Sequence, residues 1–380
     1  MRDILKKNSK MRFLSPIDGD CVNSADGILS GNILTVEVRL CAEAGRKILI
    51  NSTPAEEKEA GIYTAPVSLF GEKTEVTATD LDSGEEESIS LFRLYGHEER
   101  LFRISSDDNL IFLKQLTEGD YKSIFDHPYL AVYKKAHDLY GAKVHLNLFY
   151  EFCELTEAKF SSEMGCFNLS MVTDRYKEEF KKNSDWLKLA FHSRNETPRP
   201  YAEATAEVIR EDILAVHREI ERFAGRECIS DTTTVHYGAA NLECVREMRA
   251  LGFRSLTGYF TNLNGRPRVS YYLDCNANDH IEPRDAWVDT EEDMIFIRID
   301  RVLNEFTNEE NLAYLDALTN DPHRGGFISI MIHEQYFYPD YIRHIANFED
   351  LVLNSARLLY ERGYRGALVS ELTRKYGKKA

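Results

Sequence analysis

The chain has 380 residues, an apolar share of 43% and a formal net charge of −16, from 47 basic against 63 acidic side chains. The apolar share supports a packed core and excludes a disordered chain, and the length suggests two domains. The acidic balance argues against nucleic acid or an anionic membrane as partner, because either favours a basic surface. No run of about 18 apolar residues is present, so no segment is expected to span a membrane. The start, Met1-Arg-Asp-Ile-Leu-Lys-Lys-Asn8, lacks the apolar centre of a leader peptide. Seven cysteines, scattered without a Cys-x-x-Cys pair, suit reduced thiols. A cytoplasmic home is therefore expected, or a secreted one if a leader has been removed.

Residues 1–11 read as an N-terminal arm and 12–97 as an all-β domain. Leu34, Val36, Val38 and Leu40 alternate with Thr35, Glu37 and Arg39, the pattern of a half-buried strand. Further short strands are predicted at 47–50, 62–69, 75–79 and 88–94, separated by turn signals such as Ser30-Gly31-Asn32 and Asp82-Ser83-Gly84. This spacing points to a β-sandwich of immunoglobulin-like type. The charged stretch Gly96-His-Glu-Glu-Arg100 reads as a linker.

From 98 to 380 strands and helices alternate. Strands are predicted at 101–105, 143–150, 186–192, 232–237, 255–260, 269–273, 294–299, 327–333 and 366–369. The clearest helix covers 201–224, with Val208, Ile213, Val216, Ile220 and Phe223 on one face. Others cover 241–251, stopping at Gly252, and 348–362, stopping at Gly363. Such alternation implies a parallel sheet closed, or nearly closed, into a barrel.

In a parallel barrel, chemistry gathers at the C-terminal ends of strands. Four predicted strands end in suitable residues: Asp107-Asp108-Asn109, His192-Ser-Arg-Asn-Glu196, His236-Tyr-Gly238, and His333-Glu-Gln-Tyr-Phe-Tyr338. Imidazoles and carboxylates converging from separate strands suit Zn²⁺ or another divalent metal. Taken singly, each has an ordinary reading. Asp107 or Asp108 suits the cap of a helix at 110–116, and a lone histidine at a strand end is commonly a hydrogen-bonded structural residue. The four together favour a metal or catalytic site.

On these motifs the segment 98–380 resembles the NodB-type polysaccharide deacetylases, a family of carbohydrate esterases with a deformed (β/α) barrel. In that family the first Asp of an Asp-Asp pair is the general base and the second a metal ligand, which the resemblance carries to Asp107 and Asp108. The family's His-Ser/Thr-x-x-x-His or His-Ser/Thr-x-x-His motif is matched at its opening by His192-Ser193, but position 196 is Glu. Its Arg-x-Pro-Tyr-Gly type turn is matched by Thr234-Val-His-Tyr-Gly238, with His236 where Pro is usual and without the Arg. Its final strand ending in a catalytic His is matched by Ile330-Met-Ile-His333. The resemblance implies a divalent metal, Zn²⁺ above all, with Co²⁺, Ni²⁺ or Mn²⁺ as alternatives. Asp108 and His192 would hold it, with His236 or Glu196 supplying the missing ligand. Asp107 would be the base and His333 the acid, with Glu334 either orienting His333 or serving as acid itself. The implied partner is a carbohydrate or acylated small molecule, with Arg194, Asn195, Tyr237, Tyr336 and Tyr338 as its contacts. Two other readings stay open: a metal-dependent barrel enzyme cleaving glycosidic or C–N bonds, and a non-catalytic carbohydrate-binding protein with a decayed site. The sandwich is expected to position substrate, pack on the barrel or mediate homo-oligomerisation.

Overall fold

The computed structural model describes residues 4–94 and 99–373, so that residues 96–98 of the expected linker and the basic pair Lys378-Lys379 lie outside the described residues. Up to residue 92 the strands pair antiparallel. Arg12–Ser15, Gly27–Ser30, Ile33–Cys41, Glu56–Glu59 and Ile62–Leu69 form one sheet; Ile48–Ile50, Thr53–Pro54, Lys73–Asp80 and Glu86–Phe92 form another. The alternation in Ile33–Cys41 sends Leu34, Val36, Val38 and Leu40 into a core shared with Ile50, Val76, Ala78 and Leu91 of the second sheet. This half meets the rest of the chain at Asp20, which bridges to Trp287 and takes His280 Nε2 at 2.5 Å.

The second half is mixed α/β. Leu101–Asn109 lies at its centre, buried along its whole length, between the parallel strands Val144–Phe149 and Phe327–His333. Leu187–Ser193 continues the sheet beyond Val144–Phe149, and Arg301–Val302 continues it beyond Phe327–His333. A second parallel group holds Thr232–Thr233, Ser255–Gly258 and Met294–Arg298. The two groups meet through short contacts rather than full ladders. The Ser230 amide donates to the Leu189 carbonyl (2.9 Å) on one side, and the Asp300 amide donates to the Ser329 carbonyl (2.8 Å) on the other. Parallel pairing within each of these two groups brings the C-terminal strand ends to one rim, where all four predicted motifs lie.

Several elements differ from expectation. The strand predicted at 232–237 stops after Thr233, and His236–Gly238 forms a 3₁₀ turn with Tyr237 at φ 60°. No strand forms at 269–273, where Val269 and Tyr271 take positive φ. The hairpin Thr261–Leu263 with Arg266–Arg268, and the strand Ala286–Asp289 antiparallel to Met294–Arg298, went unpredicted. The long helix is Ala206–Phe223, and Tyr201 instead bridges to Ala240. Its buried stripe is Ile209, Ile213, Val216, Ile220 and Phe223, at spacings of four and three, which leaves Val208 46% exposed. Near the C-terminus the predicted strand is only Arg365–Gly366, and a helix starts at Val369.

Candidate metal centre

Successive residues of a strand point to opposite faces, so two neighbouring carboxylates do not normally share a site. Here the ladder with Val144–Phe149 shifts register between Ser106 and Asn109, and Asp108 adopts φ 63°. That left-handed turn, which Asp tolerates better than most residues, allows both carboxylates to serve the same rim. Asp107 is 2% and Asp108 8% exposed.

Asp108 Oδ1 lies 3.0 Å from His192 Nε2 and 3.3 Å from His236 Nδ1, and the two imidazole nitrogens are 3.1 Å apart. The three atoms form a nearly equilateral triangle of buried groups suited to a metal ion. His192 Nδ1 meets the Thr234 carbonyl, so it carries the proton, and in the neutral ring Nε2 presents a lone pair to the triangle. A lone pair facing a carboxylate and a second imidazole is repulsive unless positive charge enters. Burial opposes charge on His192, but the negative charges of Asp107 and Asp108 outweigh it and raise the imidazole's proton affinity. Burial likewise opposes charge on Asp108, yet the contacts with His192 and His236, hydrogen bonds once a proton enters the triangle, hold its carboxyl well below the usual range. Metal bonds to N and O are about 2.0–2.2 Å, so one ion reaches all three corners of such a triangle. The donor set fits a divalent cation.

The other predicted residues divide clearly. Asp107 accepts from Asn147 Nδ2 at 2.6 Å. His333 is the register partner of Asp107 on the adjacent strand, and its Nδ1 meets Asn304 Oδ1 at 3.0 Å. That contact makes Nδ1 the donor and leaves Nε2 for chemistry. Glu334 does not join them. The strand ends at His333, and the next turn carries Glu334 to the start of the helix Ile111–Glu118. There its carboxylate accepts the amides of Leu110 (2.6 Å), Ile111 (3.0 Å) and Phe112 (2.6 Å), and the Tyr338 hydroxyl (2.8 Å). Neither Asp107 nor Asp108 caps that helix, because Glu334 supplies the carboxylate. Burial pushes Glu334 up to about 7 against these four donors.

Glu196 is buried but pairs with Lys159, and its other oxygen, Oε2, has no hydrogen-bond partner among the described residues. It is not part of the metal-suited group found among the described residues. Arg194 bonds Glu151 and Asp212, and Asn195 closes a turn on Thr197, so both shape the loop after His192. Tyr338 is committed to Glu334. Tyr237 is 54% exposed against the ring of His236, and Tyr336 packs between His333 and Tyr341.

Sequence reasoning missed the carboxamides. Asn147 interrupts the apolar strand Val-His-Leu-Asn-Leu-Phe, a buried polar residue that needs a partner, and this was a readable signal. Gln335 stands two positions after His333 and donates to Asp108 Oδ2 at 2.8 Å. Nothing local marks Asn304, which reaches His333 across 29 positions. No family model matches the chain, and no curated protein matches it. Among solved structures it is similar to a peptidoglycan N-acetylglucosamine deacetylase, at 10% identity and TM-score 0.35, over 74% of this chain and 92% of that one. A Bordetella bronchiseptica protein assigned as a polysaccharide deacetylase of O-antigen biosynthesis matches at 15% identity and TM-score 0.32, over 73% and 90%. A Salmonella typhimurium protein assigned as an α-amylase matches at 9% identity and TM-score 0.28, over 91% and 80%. Scores at this level assign no role to any residue.

Proposed function

We propose that this protein is a metal-dependent hydrolase that removes acetyl or related acyl groups from a carbohydrate. The observation that carries the reading is the buried Asp108–His192–His236 triangle with a separate carboxylate, Asp107, beside it and a histidine, His333, across one strand. Bound there, a divalent cation supplies Lewis acidity toward an acyl carbonyl and toward water. Asp107, held by Asn147, accepts the proton of the attacking water. His333, its Nδ1 fixed by Asn304, donates from Nε2 to the departing sugar amine or alcohol. Tyr237 and Tyr336 offer aromatic faces at the rim for the sugar ring. Glu334 and Tyr338 take no part in this scheme; they build the helix start behind the site. Glycosidic cleavage is disfavoured because it needs two available carboxyl groups, and Glu196 and Glu334 are already engaged by Lys159 and by backbone amides. The antiparallel half, read as an immunoglobulin-like sandwich over 12–97, is a supporting domain.

The test is acetate release from a panel of N- and O-acetylated sugars, with Zn²⁺, Co²⁺ or Ni²⁺ added. The expected result is turnover that disappears with chelator and returns with metal. Stoichiometric metal without acetate release from any panel member would overturn the assignment of reaction, and failure to bind metal would overturn the assignment of site.

A further inference from the structure

Asp107 and Asp108 are chemically identical, adjacent in sequence and both buried, yet the reaction proposed above gives them opposite tasks. One must keep a free oxygen for a proton, and the other must give an oxygen to a cation. We infer that two buried carboxamides, Asn147 and Gln335, make this division by fixing one oxygen of each carboxylate.

Asn147 is fully buried on the neighbouring strand, and its Nδ2 donates to Asp107 Oδ1 at 2.6 Å. Its position is set from two sides. The carboxylate it bonds is an acceptor and so takes the Nδ2 end of the amide, which fixes the amide orientation, and its backbone carbonyl accepts from Asn109 Nδ2 at 3.0 Å. Asp107 is thereby tied through Oδ1 to its own sheet and lies outside the group of three that suits a metal, which leaves Oδ2 as the oxygen for a proton. Gln335 is 3% exposed, and its Nε2 donates to Asp108 Oδ2 at 2.8 Å. That bond occupies the outer oxygen and leaves Oδ1 pointing between the two imidazoles. Its own Oε1 is buried with no partner among the described residues. A group with one hydrogen bond made and one forgone is held for the bond it makes.

Both holders are neutral. A lysine or arginine in either place would also orient a carboxylate, but it would cancel the charge that attracts the cation and the proton. A carboxamide orients without neutralising. Asn147 and Gln335 are therefore positioning residues: each acts through the aspartate it holds.

This assignment rests on the metal reading and is tested by chelator-competition affinity for Zn²⁺ alongside steady-state turnover of an acetylated sugar. Gln335→Met is expected to weaken Zn²⁺ binding about 10–100-fold, the usual cost of losing a group that orients a ligand, with turnover largely restored at saturating metal. Asn147→Leu is expected to leave Zn²⁺ affinity within about threefold while kcat falls by about tenfold or more at unchanged KM. Gln335→Asn and Asn147→Ser, which shorten the amide arm or swap it for a hydroxyl, stand in where the first variants fail to melt cooperatively. Equal effects of the two substitutions on metal affinity, or none from either, would overturn the division of labour. If the parent protein binds no Zn²⁺, the proposed function itself fails; if it binds and Gln335→Met binds as tightly, only the positioning inference fails.

Discussion

Asp108 and Glu334 are both buried carboxylates at the ends of neighbouring parallel strands, yet their surroundings differ. Glu334 receives three backbone amides and a tyrosine hydroxyl, so each oxygen is supplied from within the fold. Asp108 receives one unambiguous donor, from Gln335 on Oδ2, while Oδ1 shares a triangle with two imidazole nitrogens. The helix start around Glu334 is complete as folded, and the triangle is short of positive charge. A buried carboxylate at a strand end points to chemistry only where its partners leave such a deficit; residue type and position are not enough.

The comparison breaks most decisively at the triangle. Asp108→Ala and His192→Ala should each lower Zn²⁺ affinity by at least about 100-fold, beyond the usual effect of an outer residue, and abolish metal-dependent acetate release. Glu334→Ala should retain stoichiometric metal. Metal analysis of the three purified proteins decides the matter, and zinc held at parent affinity by either triangle variant would mean the deficit is filled by protons alone.

Asp107→Asn separates binding from chemistry. Metal content should match the parent while kcat falls by about 10²–10⁴, the range typical for loss of a general base. Intact turnover would remove Asp107 from the mechanism.

Glu334→Ala should act on stability instead. Three amides at a buried helix start lose their acceptor, at roughly 1–3 kcal/mol for each group left unsatisfied and less where water enters, so a loss of about 3–5 kcal/mol is expected in urea unfolding. A much smaller loss with greatly impaired turnover would return Glu334 to the catalytic set.

The strand ends carrying these groups were legible in the sequence because hydrophobic runs closing on Asp-Asp, His and His-Glu are local patterns. The difference between Glu334 and its neighbours was not, because it depends on where the chain turns after His333 and on amides more than two hundred positions away. The same holds for Glu196: its spacing from His192 suggests a ligand, whereas Lys159, reached from another loop, claims it. Alternation marked most strands of the two parallel groups. It failed at 269–273, where Val269 and Tyr271 take the left-handed backbone that a run of β-formers disguises. His236 could be picked out as a candidate from its place at a predicted strand end, but the turn that brings it beside His192 includes a non-glycine residue at positive φ, which composition does not announce.

The helix region also predicts the acid side of the stability profile. His127 is fully buried where the helix Pro128–Tyr140 begins, with Nε2 2.8 Å from Gln115 Oε1 on the Glu334-capped helix. Burial holds its pKa down to about 4, against an ordinary value of 6.5. A depressed folded-state pKa means that the unfolded chain binds the proton first. The neutral ring's contribution is therefore present above about pH 6.5 and is lost as pH falls toward 4. Between pH 7 and pH 5 that linkage amounts to about 2 kcal/mol, and His127→Phe removes it. Urea unfolding in chelator should show the parent losing about that much more stability than the variant over this interval; parallel pH profiles would mean that His127 is reached by water. His217, also held near 4 by burial, keeps part of the acid limb in both proteins. Adding saturating metal then separates the two regions. Ligands must shed protons to bind a cation, so the triangle steepens the pH dependence of parent and variant alike. The difference between the two proteins should stay the same, because His127 and the triangle share no hydrogen-bond partner among the described residues.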